Sequence, residues 1–381
     1  MTEKLYYKDA YIIEFTARVI SSEKREDLYA VVLDRTAFFP EEGGQYADKG
    51  MLGSAKVLDV READGIIYHY TDAPVEVGEE VVGKIDFDER YEKMQCHTGE
   101  HILSGIIHEL YGLDNVGFHL GADDVTMDVS APLSREELDR VERLANEVIY
   151  KNVEVTSSFP TPEELSGMQY RSKLDLYENV RIVKIGEYDS CACCAPHVKY
   201  TGEIGVIKIL DFAKLRGGIR IFISAGRRAV KTFDEYYKTL QSVSGLLSLP
   251  KSEIADGVNK LIGDLSELKN TYSAYRVSVL ERQAEALEYS EGNRVILLDG
   301  ASIPELIAYS NAARTKTGGI LVLLSGVEGD YKYVISSQSV NLREISAQIN
   351  KSLLGRGGGR PEMIQGSFAS KYDEIAGYFN P

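Results

Sequence analysis

The chain has 381 residues, 44% of them hydrophobic and 27% charged, enough for two or three domains with more than one core and incompatible with a disordered composition. Its formal net charge of −16 argues against broad adhesion to nucleic acid but leaves room for a local basic path to one RNA. No apolar run approaches a membrane span and "MTEKLYYKDAYIIEF" lacks the signature of a signal peptide, so a cytoplasmic protein with no membrane partner is expected.

The predicted elements define an α+β protein. From about 5 to 90, "YIIEFTARVISS", "LYAVVLDRTAFF", "AKVLDVREADGIIYHYT" and "EEVVGKIDF" read as short strands with Gly and Asp turns. A small antiparallel barrel over 1–90 follows, interrupted by the loop "FFPEEGGQYADKG". Residues 88–111 turn helical, with Met94, Ile102, Leu103, Ile106, Ile107 and Leu110 on an amphipathic pattern and Gly112 as a stop. "SREE", Ser134 to Glu137, is a capping box opening a second helix through about Tyr150. With the strands "NVEVTSSFP", "VRIVKIGEY" and "GVIKILDF" around them, these helices make 91–228 one α/β unit.

Residues 229–290 change character. Ile254, Val258, Leu261, Leu265, Leu268, Tyr272, Tyr275 and Val279 alternate spacings of four and three, the heptad seam of a coiled coil and a candidate homodimer contact. A long helix lying on its own domain is the alternative. The α/β rhythm then resumes over 291–381: strand "RVILLDG", helix from "SIPELI", strands "GGILVLLSG" and "YKYVISS", a helix from "NLREI", and the Gly-rich "GRGGGRPEMIQGSF".

Two clusters carry chemistry. In "MQCHTGEHIL", His97 and His101 stand four apart, one helical turn, so both imidazoles can face one cation. In "SCACCAPH", three of the four cysteines crowd beside a histidine, and Cys193 and His197 are also four apart. Reduced thiols beside imidazole suit a borderline-soft cation such as Zn2+. Together His97, His101, Cys193 and His197 would complete a tetrahedral shell, although Cys191 and Cys194 offer competing thiols. His108 is assigned to packing or water. The His-x-x-Glu-His spacing also fits the inverted zinc peptidases, with Glu100 as general base. A purely structural zinc in a binding module is a third reading, because four protein ligands close the shell.

Three separated stretches share one resemblance. "TAFFPEEGGQYADKG" resembles the Thr-x-Phe-Tyr-Pro-x-Gly-Gly-Gly-Gln loop of alanyl-tRNA synthetase editing domains, "HTGEHIL" their first metal motif and "CCAPHVKYTGEIG" their Cys-Gly-Gly-Thr-His-Val segment. The coiled-coil stretch and "GRGGGRPEMIQG" resemble the synthetases' C-terminal region with its DHH-associated domain, so the whole chain is similar to the long stand-alone alanyl-tRNA editing proteins. Cys194, Ala195 and Pro196 depart from Gly-Gly-Thr, and Glu42 replaces one glycine of the first loop.

The resemblance implies hydrolysis of mischarged tRNA(Ala), chiefly Ser-tRNA(Ala) and also Gly-tRNA(Ala), at a zinc site, and favours Cys193 as the sulfur ligand. It makes Thr36 the candidate for sensing the serine hydroxyl and Gln45 for positioning substrate or water. Glu100 would assist proton transfer or bond a ligand histidine. A basic strip at Arg216, Arg220, Arg227 and Arg228, with Arg356 and Arg360 in the last domain, is the expected RNA path; a charged strand pair facing water is the alternative for its first part.

Overall fold

The computed structural model describes residues 2–121, 124–172 and 180–380. It divides into two compact units, Met1–Ser242 and Val243–Pro381.

In the first unit, strands Glu14–Arg25, Leu28–Leu33, Ile66–Thr71, Ala55–Ala63, Gly50–Leu52 and Glu80–Ile85 pair in that order and close into a barrel. Period-two alternation drives it: Phe15, Ala17 and Val19 point inward from the first strand, joined by Val31, Leu33, Val57, Ile67, Val81 and Ile85. Of "LYAVVLDRTAFF", Leu28–Leu33 is a barrel strand and Arg35–Thr36 a two-residue bridge to Glu3–Lys4. Ala37 to Phe39 then leave the sheet as a buried loop.

The helix Phe87–Tyr111 starts at Asp86, whose carboxylate accepts from the Glu89 amide, and stops at Gly112 in the left-handed region (φ 64°). It differs from the amphipathic reading in one respect: every residue from Met94 to Ile107 is buried, polar ones included. One face packs on the helix Arg135–Tyr150 and the antiparallel sheet of Ile207–Leu215, Gly218–Ala225, Val125–Val129 and Asn115–Leu120. Against another lies the three-stranded sheet Val155–Ser158, Ile182–Ile185, Asp189–Ala192. The helix is therefore a central post whose polar residues must find partners inside the protein. The second helix opens with the expected capping box at Ser134 and Glu137.

The barrel loop is bolted to this post by buried charge. Asp48 and the cations Arg90 and Lys93 are all at most 1% exposed. Arg90 bonds Asp48 and the Ala37 carbonyl, Asp48 accepts from the Phe39 amide at 2.7 Å, and Lys93 donates to the Ala47 carbonyl at 2.7 Å and forms an ion pair with Glu89 at 2.8 Å. The Lys93 ammonium also lies 3.8 Å from the centre of the Tyr46 ring.

In the second unit a five-stranded sheet runs Arg294–Leu297, Ile320–Val327, Asp330–Ser337, Met363–Phe368, Gly355–Arg360, its first pair parallel and the others antiparallel. Alternate residues serve two cores. Leu321, Leu323 and Val334 meet the helix Ile303–Ala313 and the end of the helix Ile254–Glu285, whereas Val322, Leu324 and Ile335 meet the helices Leu342–Ser352 and Tyr372–Phe379. "GRGGGR" is the edge strand Gly355–Arg360. Along the 32-residue helix Ile254–Glu285, Val258, Leu261, Leu265, Leu268, Tyr272 and Tyr275 are each 40% exposed or more, so the heptad seam faces outward rather than into its own unit.

Replacing Asp48 by Asn keeps the shape and removes the charge that neutralises Arg90 and Lys93. A loss of about 3–5 kcal/mol in the stability of the first unit is expected, read from denaturant unfolding followed by tyrosine fluorescence. Unchanged stability would mean that the cluster does not hold loop and helix together.

Candidate metal centre

His97 and His101 project from the buried middle of the central helix, and Cys193 and His197 come from the loop after strand Asp189–Ala192. The four ligand atoms lie within 4.8 Å of one another. The Cys193 sulfur stands 3.6 Å from His97 Nε2 and 3.4 Å from His197 Nε2. A tetrahedral zinc, with bonds of about 2.3 Å to sulfur and 2.0–2.1 Å to nitrogen, would separate sulfur and nitrogen by about 3.6 Å. The donor set therefore fits such an ion both in kind and in spacing.

Each histidine has its other nitrogen engaged. His97 Nδ1 meets Gln45 Oε1 at 3.0 Å, His101 Nδ1 meets Asp189 Oδ2 at 2.9 Å, and His197 Nδ1 meets Thr98 Oγ1 at 3.0 Å. The acceptors Gln45 Oε1 and Asp189 Oδ2 fix the tautomers of His97 and His101, the Thr98 hydroxyl engages His197, and three Nε2 atoms are left for one point, the support that metal-binding imidazoles require. Burial alone raises the Cys193 thiol pKa, but the surrounding imidazoles outweigh it and hold the group well below its ordinary range. Burial instead pushes Cys191 and Cys194 up. Geometry and charge thus separate Cys193 from its neighbours, a distinction that spacing alone did not provide. Cys191 lies beside His101 and Asp189, and Cys194 beside Glu42 and Gly43.

Two glycines let these partners approach. Gly44 (φ 81°) packs so close to the strand Asn115–Leu120 that an added Cβ would sit 2.3 Å from the Phe118 carbonyl oxygen, and the same turn delivers Gln45 to His97. Gly105, one turn beyond His101, leaves no room for a Cβ against the Tyr188 carbonyl oxygen at 2.2 Å. Its bare surface lets Asp189 reach His101.

His97, His101, Cys193 and Glu100 line a broad cleft of about 1860 Å³, larger than the usual small-molecule pocket. Glu100, 3% exposed, accepts through Oε1 from Ser104 and from Asn115 Nδ2, the latter at 2.5 Å. Gln45 is fully buried, and its Nε2 has no acceptor among the described residues, a donor left beside His97 for a bound atom.

Thr36 sits elsewhere. It is fully buried in the barrel and does not line the cleft. His69 Nδ1 donates to the Val31 carbonyl at 3.0 Å, so its Nε2 takes the Thr36 hydroxyl proton at 2.8 Å, while the Phe38 amide donates to the Thr36 oxygen at 3.1 Å. Burial lowers the His69 pKa to about 4, keeping the ring neutral and the pair fixed.

The expected basic strip is largely neutralised. Arg220 forms a bidentate pair with Asp128, Arg227 pairs with Asp88, and Arg228, 11% exposed, turns inward to Glu92, the Gly121 carbonyl and the Tyr46 hydroxyl. Arg216 is exposed at a hairpin tip, and Arg356 and Arg360 are exposed on the edge strand. Sequence reasoning missed Asp189, Arg171 and Arg181. Arg181 clamps the ligand loop by donating to the Cys193 and Ala195 carbonyls at 3.0 and 2.8 Å. Only its position, ahead of the strand preceding the cysteines, hinted at it.

A buried helix thus joins the barrel to the His3Cys cluster, and sequence comparison gives the class, aminoacyl-tRNA synthetase-related domains. Residues 180–221 match the threonyl and alanyl tRNA synthetase second additional domain, and residues 2–89 match the class II (A) tRNA synthetases. The alanyl-tRNA editing protein AlaX-L of Pyrococcus horikoshii is 30% identical over 98% of this chain and 96% of its own length. The alanine–tRNA ligases of Halorubrum lacusprofundi and Archaeoglobus fulgidus are each 30% identical, over 96% and 98% of this chain; the chain spans only 42% and 43% of their lengths. The chain belongs to the alanyl-tRNA editing protein family. Among solved structures, the C-Ala domain of Aquifex aeolicus alanyl-tRNA synthetase aligns with 23% of this chain and 85% of that one, at 23% identity and a TM-score of 0.21. No helix among the described residues is long and apolar enough to cross a membrane.

Cys193→Ser should cut bound metal well below one per chain by atomic emission, while Cys191→Ser and Cys194→Ser retain it. Asp189→Asn should weaken metal affinity about 10- to 100-fold in chelator competition. Full stoichiometry in the Cys193 variant would refute the ligand set.

Proposed function

We propose that this protein hydrolyses the ester of mischarged tRNA(Ala), chiefly Ser-tRNA(Ala) and also Gly-tRNA(Ala), at a zinc site in the cytoplasm. The observation that carries the reading is the convergence of three Nε2 atoms and the Cys193 sulfur at one point, with His97, His101 and Cys193 lining an open cleft that also presents Glu100. A closed shell in a core would suit a structural ion; donors bordering a large cleft suit an ion that meets substrate. The inverted peptidases need a carboxylate as third ligand, whereas here Cys193 and His197 fill the places opposite His97 and His101, which favours the deacylase.

Zinc, whose preferred ligands are imidazole and thiolate, would supply Lewis acidity toward an ester carbonyl or a water. Within the chain, Glu100 has one oxygen fixed by Ser104 and Asn115, and its carboxylate borders the cleft. It is placed to take a proton from an attacking water. Gln45, buried behind His97, positions that ligand through Oε1, and its free Nε2–H can hold a buried water there. Serine is accepted and alanine rejected because a hydroxyl gains a partner among such polar groups where a methyl leaves them unpaired. Thr36, its hydroxyl already engaged by His69, acts from inside the barrel wall by holding the start of the loop that carries Gln45. Arg216, Arg356 and Arg360 are the exposed cations available to RNA, with the paired Arg220, Arg227 and Arg228 contributing charge rather than free donors. The exposed heptad seam pairs two copies of the chain.

Zinc-loaded protein incubated with Ser-tRNA(Ala) and Ala-tRNA(Ala) should deacylate the first and spare the second. Glu100→Gln should slow the reaction about a hundredfold or more. Equal inertness toward both substrates would sink the deacylase reading, and loss of both would sink the selectivity.

A further inference from the structure

Arg171 is a cation of the cleft that the metal centre does not use. Both its backbone groups are fixed: its amide donates to the Ser190 carbonyl at 2.8 Å, and its carbonyl accepts from the Ala192 amide at 2.9 Å. Its Nε donates to Asp189 Oδ1 at 2.7 Å, and the other oxygen of the same carboxylate takes His101 Nδ1. Among the described residues its two Nη groups have no hydrogen-bond partner. Of the other cations lining the cleft, Arg181 is engaged by the Cys193 and Ala195 carbonyls and Lys4 by Glu62, while Lys184 is exposed on the strand Ile182–Ile185 and is not fixed to Asp189.

Arg171 is the more open of the two groups that share Asp189. The Arg171 side chain is 15% exposed against 3% for His101, and both line the same cleft. The guanidinium therefore meets a ligand group farther out than the one that meets the metal. In an aminoacylated RNA the ester itself bears no negative charge; the nearest is the phosphodiester on the opposite side of the same terminal ribose. With the ester at the floor, that phosphodiester lies toward the rim.

We propose that Arg171 is the receptor for the phosphodiester that links the last two nucleotides of the acylated strand. This rests on the deacylase reading above. A guanidinium suits the task because its planar fork binds two phosphate oxygens at once. Holding Nε on Asp189 leaves that fork fixed before the ligand arrives, so little side-chain freedom is lost on binding. The oxyanion of the reacting ester is the competing target, but the His101 ring and the Asp189 carboxylate stand between Arg171 and the ligand-facing Nε2 along the bonded path.

The test compares wild type, Arg171→Gln and Arg171→Lys as zinc-loaded full-length chains of equal metal content, on Ser-tRNA(Ala) and on seryl-adenosine, which lacks the phosphodiester. In the Gln variant the ratio of kcat/KM for Ser-tRNA(Ala) to that for seryl-adenosine should fall about 10- to 100-fold, carried by KM, with partial recovery in the Lys variant. By titration calorimetry, the dinucleotide CpA should bind wild type more tightly than adenosine does, and Arg171→Gln should abolish the difference. An unchanged ratio, or a loss of kcat common to both esters, overturns the subsite and leaves deacylation standing. Wild type that hydrolyses neither ester but shows the Arg171-dependent preference for CpA overturns the deacylase reading and leaves the subsite. Equal affinity for CpA and adenosine overturns the subsite.

Discussion

One buried carboxylate holds the functional half of this protein together. Asp48 faces Arg90 and Lys93 at the start of the central helix, all three essentially without solvent. Removing such groups from water is costly, and the cost is recovered only when every charge is matched and hydrogen-bonded. The Phe39 amide and the Ala37, Ala47 and Ala10 carbonyls supply most of those hydrogen bonds, and Asp48 Oδ1 meets Lys93 as an ion pair at 3.8 Å. Apart from Ala10, which precedes the first barrel strand, these groups lie on the loop between barrel strands, and they pin its path across the helix. Gln45 lies on that path three residues before Asp48, and it is the residue that orients His97. An interaction made for stability thereby sets a ligand tautomer.

The same economy recurs at Asp189. A single carboxylate fixes His101 with one oxygen and Arg171 with the other, and it reaches them because Gly105 presents no side chain to the Tyr188–Asp189 turn. The carboxylate lends negative charge to the imidazole that would bind a cation and positional certainty to the guanidinium at the rim. His97, by contrast, rests on a neutral amide and His197 on a hydroxyl. The three imidazoles are thus held by partners of different strength, with the most basic support at the ligand that shares its carboxylate with Arg171.

What the sequence displays and what it conceals follow from the range of each interaction. Period-two burial made the barrel strands readable, and the caps at Ser134 and Gly112 marked helix ends because they act within four residues. The ligand set was legible as two pairs spaced by four. The supporting acceptors were not, since Asp189 lies 88 residues from His101 and Gln45 52 from His97, and no local pattern encodes such a meeting. The amphipathic reading of the central helix failed for a related reason: polar residues at Gln95, Thr98, Glu100 and Ser104 normally signal solvent. Here each finds a partner from another part of the fold. The arginines of the supposed basic strip misled in the opposite sense, because their carboxylate partners at Asp88, Glu92 and Asp128 are distant in sequence.

These pairings bear on how a chain of net charge −16 could receive the end of a nucleic acid. At physiological ionic strength charge is screened over about 8 Å, so the acidic body as a whole matters less than the few charges a phosphate actually meets. Cations already matched to carboxylates offer it little net field, which removes much of the surface near Arg220 and Arg227 from consideration. Within the cleft the balance differs. Asp189 is shared between His101 and Arg171, and a bound cation at the four ligands would add positive charge to the same wall. On the proposed reading, Arg171 and such a cation are the positive groups that the reacting end of an acylated strand meets.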